Sequence, residues 1–156
     1  MKKQTGITIF WCFVLWAATR LFPDQLYLPL FCEGPARLAA GYYGSPLCMP
    51  LSFTARGITL ETARSCGATD FFVMVFMILP PRWWRLFAAY GITLLTNTAR
   101  LIILIPATAV IHASFPERFY SLGHQVVGTA VFLPALVLIW EGVRYVKRRK
   151  HGQCIH

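Results

Sequence analysis

Charge is scarce in this 156-residue chain, and negative charge is scarcest: only six Asp and Glu, with all charged residues making up 13%. Soluble domains carry roughly 25%, so an ordinary water-soluble globule is excluded. Cys-x-x-Cys and closely paired histidines are missing, and with them the usual metal-ligand spacings; neither metal nor cofactor is expected. No basic face with an aromatic platform is recognisable, so the net charge of +9 does not point to nucleic acid. Internal repeats and low-complexity segments are absent too, which leaves a single domain.

What is abundant is apolar sequence, 56% of the chain, and lipid is its expected solvent. Nine basic residues fall in three clusters that border apolar runs: Lys2 and Lys3; Arg82 and Arg85; Arg144, Lys147, Arg148, Arg149 and Lys150. That is the pattern of cytoplasmic flanks. The expected fold is all-α, a polytopic membrane bundle of about four spans at 7–22, 63–79, 86–111 and 125–143. Both termini then lie in the cytoplasm, and the membrane is the cytoplasmic (inner) one. The first run lacks a clear cleavage site and reads as an uncleaved anchor. Pro80 and Pro81 stop the second span, and Pro106 is expected to kink the third.

Segment 23–62 is read as extracytoplasmic. Its prolines and glycines are expected to break any long helix. A short interfacial helix is expected at "ARLAAGYY" and a small hairpin around Arg56-Gly57. A crossing by residues 26–43 is not expected, because it would put the later basic clusters outside.

Several residues do not suit lipid. Arg100 falls about 18 Å into its span, and a guanidinium there costs about 2.5–3.5 kcal/mol on insertion scales. Asn97 shares its face. The plainer alternative is a buried polar link between helices, with Asp70 as partner. Cys66 is at the outer mouth of the second span. If Thr62 or Ser65 caps that helix, the dipole, together with Arg64 and Arg100, favours the thiolate. His124 begins the fourth span. With Ser121 as cap it sits in the first turn, where a neutral imidazole is favoured, as a general base needs. Gly128, one turn on, lets a helix approach closely. His112 is about 120° round from Arg100 and does not share its face. Cys32 and Cys48 lie outside and can form a disulfide if the compartment is oxidising.

Thiol, cation and imidazole in one outer half suggest acyl transfer, with Cys66 as nucleophile, His124 as proton carrier and Arg100 as oxyanion partner. "SCGATDFF", "NTARLI" and "GHQVVGTAVF", in that order and each in or heading an apolar span, resemble the exosortase/archaeosortase family. The resemblance covers roughly residues 34–142. It implies Cys66, Arg100 and His124 as the catalytic set; Arg64, Asp70, Asn97 and Gly128 are expected, from their places beside these, to bind substrate or support them. It also implies a transpeptidase acting on exported proteins that end in a sorting signal: a short motif, one transmembrane helix and a basic tail, of the PEP-CTERM type. The acyl group passes to an acceptor of unknown identity, a lipid or a polysaccharide precursor. Gly91, Gly128 and Ala130 are candidates for docking the substrate helix. The chain is shorter than typical members and looks like an abbreviated one such as exosortase K. Serine precedes its thiol, where the family's usual context is Cys-Ser-Gly-like. Two rival readings stand beside this: an intramembrane cysteine protease with water as acceptor, and a binding or transport subunit that holds an anion on Arg100. In a third, the polar residues only link helices.

Overall fold

The computed structural model describes residues 2–21, 23–48, 51–62, 68–116 and 120–152. Helix dominates, as the composition predicts. The order is α1 (Lys2–Leu21), α2 (Asp24–Leu28), a π-helical turn (Pro29–Glu33), α3 (Gly34–Tyr42), β1 (Ser52–Ala55), β2 (Ile58–Glu61), α4 (Thr69–Ile78), α5 (Arg85–Ser114) and α6 (Tyr120–Gly152). Two stretches, α5 and residues 125–149 of α6, are long and apolar enough to cross a membrane. Two shorter apolar helices are Ile9–Leu21 and α4. The expected second span is helical over Thr69–Ile78, ten residues, about 15 Å at 1.5 Å per residue. That is half of a roughly 30 Å hydrocarbon core.

The stretch 24–42 departs from expectation. Its prolines do not break it: Leu28, Pro29, Glu33 and Gly34 all keep right-handed helical backbone. The reason lies in where the orphaned carbonyls go. In the π register the N–H that would reach Leu30 O belongs to residue 35, a proline without one. The Tyr90 hydroxyl donates to Leu30 O instead, at 2.5 Å. The same device runs in reverse on α5. Pro106 cannot donate to Ile102 O, and the Tyr43 hydroxyl does so at 2.6 Å, so α5 continues unbroken to Ser114. Each helix thus satisfies the other's proline gap. The short helix expected at "ARLAAGYY" is present as α3: Pro35, Ala36, Ala39 and Ala40 are buried on one face, and Arg37, Leu38, Gly41 and Tyr42 are exposed on the other.

The hairpin forms where the alternation places it. Ala55 pairs with Ile58 across Arg56 and Gly57, and both turn residues have positive φ, 52° and 75°. That is the I′ turn whose twist suits paired strands. Phe53, Ala55 and Leu60 turn inward against Ala39, Ala40, Leu101, Leu104 and Ile105. Thr54 and Thr59 face out and share a hydrogen bond of 2.9 Å.

A second cluster joins Tyr27, Phe31, Phe71, Phe72, Val75, Leu79 and Ala89. α5 is the wall common to both. Leu79 is extended ahead of Pro80, as the residue before proline prefers. Arg82 is exposed as a flank residue should be, but Arg85 is buried. Its Nε donates to Phe76 O, and its guanidinium lies 3.9 Å from the Phe76 ring centroid. A cation thus neutralises the carbonyl end of α4. The chain exposes 10463 Å², against about 8,000 Å² for a compact monomer of this mass. Phe10, Phe13, Leu133, Val137 and Leu138 are among the bare apolar side chains.

Candidate functional site

Arg100 is 6% exposed, although it stands midway along α5. It belongs to a polar stripe on the buried face. Thr93, Asn97 and Arg100 follow at helical spacing, and all three are buried. Asn97 and Arg100 therefore share a face, as expected. Thr93 donates to Ala89 O at 2.8 Å.

Gly128 of α6 faces the guanidinium. A β-carbon at position 128 would lie 3.2 Å from Arg100 Nε, 3.4 Å from Nη2 and 3.5 Å from Cζ. The close approach expected of Gly128 is real, but its partner is a side chain and not a helix backbone. Gly128 is buried beside Arg100 and also lines a cleft. One turn further along α6, the Phe132 ring centroid is 5.3 Å from Arg100 Cζ. Phe132 stacks in turn on Phe71 of α4, with centroids 4.8 Å apart and planes 26° off parallel.

Asp70 is not the partner that the polar-link alternative requires. Its carboxylate accepts from Arg20 Nη2 at 3.0 Å on each oxygen and from Trp16 Nε1 at 3.2 Å. The Arg20 guanidinium also lies 5.7 Å from the Trp16 ring centroid. This pair joins the carboxyl end of α1 to the first turn of α4, and the pairing leaves both side chains about half exposed. A carboxylate in a helix's first turn suits the dipole.

These groups line one cleft of about 690 Å³ between α1, α4, α5 and α6, with Arg20, Thr69, Asp70, Arg100, Gln125 and Gly128 on its polar side. Phe71, Met74, Phe132, Leu133 and Leu136 form its apolar wall. Arg20, Gln125 and Phe132 were not picked out from the sequence. Arg20 had a visible signal, a charge at the end of the first apolar run. Gln125 and Phe132 had none.

Cys66 and Arg64 lie outside the described residues. Ala68, two positions after the thiol, lines the cleft. It carries a left-handed backbone, φ 53° and ψ 30°, where α4 begins. α4 starts at Thr69. Thr62 caps nothing there. Its Oγ1 donates to Leu51 O at 2.6 Å, and its N–H donates to the same oxygen at 3.1 Å, closing the base of the hairpin. His124 is a backbone position of α6; its side chain lies outside the described residues. α6 begins at Tyr120, so Ser121 is inside the helix and not its cap. Position 124 then falls beyond the first turn, where the dipole fades. Its neighbour Gln125 lines the cleft. Of the other cysteines, Cys32 is buried among aromatic side chains and Cys48 is exposed, and both are thiols. Among the described residues no group of His, Cys, Asp and Glu could hold a metal.

Compared with family models, curated proteins and solved structures, the chain matches none of them.

Proposed function

We propose that this chain is a multi-pass membrane cysteine transpeptidase, processing exported proteins that end in a short motif, one apolar helix and a basic tail. The observation that carries the reading is a buried guanidinium inside an open cleft. That cleft is lined by Ala68 and Gln125, the near neighbours in sequence of Cys66 and His124.

In this reading the Cys66 thiolate adds to the scissile carbonyl, and Arg100 stabilises the oxyanion. Such a donor contributes about 2.7–4 kcal/mol. The His124 imidazolium gives its proton to the leaving amine as the C–N bond breaks. The acyl group remains on Sγ as a thioester until an acceptor displaces it.

In this reading the chain crosses four times, through α1, α4, α5 and α6, with both termini in the cytoplasm and the cleft on the outer side of the inner membrane. The contacts support an up-and-down order. The end of α1 meets the start of α4 through Arg20 and Asp70. The end of α4 meets the start of α5 through Arg85. α5 and α6 run antiparallel, with Arg100 beside Gly128 and Ile111 beside Gly123. This order brings the three basic clusters to one side.

The test is co-expression with a tailed reporter. Cys66→Ala should abolish processing while membrane insertion persists, and the wild type should yield a thioester between Cys66 and the truncated reporter. Normal processing by Cys66→Ala excludes the thiol mechanism. An adduct at the product's new carboxyl end identifies transfer; a free acid identifies water as acceptor and a protease. The rival binding subunit draws support from two guanidiniums, Arg20 and Arg100, sharing the cleft with one carboxylate. It predicts that Arg100→Ala matters and Cys66→Ala does not.

A further inference from the structure

We infer that Gly128 and Phe132 are positioning residues, which set the place of the Arg100 guanidinium from the neighbouring helix. The inference rests on the proposed role of Arg100 as oxyanion partner.

An arginine has a long, flexible side chain, and a flexible donor is a poor oxyanion partner. Productive geometry needs a reacting group held to within about 0.5 Å, and a 1 Å displacement can cost on the order of 100-fold. Here the restraint comes from α6. The guanidinium lies against the bare α-carbon of Gly128, where a methyl group would crowd Nε at 3.2 Å. The Phe132 ring attracts it at 5.3 Å, a cation–π contact that gains strength when desolvated. Phe132 is itself fixed by its stack on Phe71, the residue next to Asp70. A row of contacts thus runs from α4 through α6 to α5 and ends on the cation. Positions 124, 128 and 132 are spaced by four on α6 and occupy one face of it. The face that carries the proposed proton carrier therefore also carries the device that holds the cation.

Acylation and alkylation of Cys66 separate this role from simple packing. Attack on p-nitrophenyl acetate forms the Sγ–acyl bond, passes through an oxyanion and expels p-nitrophenolate. Attack on iodoacetamide forms an Sγ–carbon bond, expels iodide and builds no oxyanion. Both rates are measured on the full chain in detergent and taken as differences from Cys66→Ala, which removes the contribution of the other thiols. Gly128→Ala and Phe132→Leu should each slow acylation by about tenfold or more while alkylation stays within about twofold. Phe132→Tyr, which keeps the ring face, should retain most of the acylation rate. In an Arg100→Ala background, where no Nε remains to be crowded, Gly128→Ala should change acylation by less than about twofold.

Parallel loss of both rates means a structural role and overturns the inference, as does unchanged acylation in Gly128→Ala and Phe132→Leu. If Gly128→Ala fails to fold, the Phe132→Leu and Phe132→Tyr pair decides. If Cys66→Ala acylates as fast as the wild type, the proposed thiol chemistry fails and this inference fails with it.

Discussion

α5 and α6 are the two longest helices, and both read as apolar spans with a proline inside. Their surroundings differ. In the most apolar stretch of α5, 28% of residues are buried within the protein; in that of α6, 6% are. α5 is enclosed by α3, α4, α6 and the hairpin, and it is the helix that carries Thr93, Asn97 and Arg100. Among the described residues of α6 only Gly128 is buried, and its burial serves Arg100. The lesson concerns where polarity can go. A polar side chain in an apolar environment needs partners from its own protein, so it belongs on the helix that is surrounded. The outer helix contributes ring faces and an absent β-carbon.

Three substitutions probe that difference. The largest effect is expected from Val137→Arg on the exposed face of α6, where the side chain is 54% exposed. If that face meets lipid, the change opposes insertion by about 2.5–3.5 kcal/mol, and the inserted fraction in a membrane extract falls steeply. Full insertion would mean that α6 faces water there, and the contrast with α5 would collapse.

A smaller effect is expected at the carbonyl gap of α5. Tyr43→Phe leaves Ile102 O without its hydroxyl donor and should cost about 1–3 kcal/mol in thermal or denaturant unfolding in detergent. The same variant has a pH signature. Burial raises the Tyr43 pKa above its ordinary value of 10.0, with Tyr42 adding to the rise and the nearby Arg56 guanidinium opposing it. The folded state then holds this proton more tightly than the unfolded state. Its contribution is complete below the unfolded tyrosine value and is lost as pH climbs through the higher folded value. Stability of the wild type should therefore decline above about pH 10, and Tyr43→Phe should flatten that decline. An equal alkaline slope in both proteins would refute the assignment.

The smallest effect is expected from Thr93→Val. The threonine hydroxyl bonds back to a carbonyl of its own helix, a contact that adds little to a helix interior. The melting shift should correspond to less than about 1 kcal/mol. A larger cost would extend the essential polar stripe of α5 beyond Asn97 and Arg100.

Much of this molecule is readable one segment at a time. The hairpin at Arg56-Gly57 follows from alternation and a turn that tolerates positive φ. The stop after Ile78 follows from Pro80 and Pro81. Arg100 stands out as a costly intruder in an apolar run, and Asn97 joins it by spacing alone. Misreadings occur where a local rule meets a distant partner. Pro29 and Pro35 look like helix breakers until Tyr90 supplies a donor from sixty residues away. Asp70 looks available to Arg100 until Arg20, fifty residues upstream, takes it. Arg85 looks like a surface flank until the end of α4 folds onto it. Thr62 and Ser121 suit a helix cap by type, yet one closes a hairpin and the other is already helical.

By itself the sequence determined the long apolar helices, the turn of the hairpin and Arg100 as a guanidinium that has to be accounted for. These depend on composition and on spacings of a few residues, which act the same way wherever the segment sits. Only the tertiary structure decided which carbonyl each tyrosine serves, which cation Asp70 meets, and that a missing β-carbon on α6 makes room for Arg100. Those outcomes depend on distances of a few ångströms between helices far apart in sequence, and no local pattern encodes such distances.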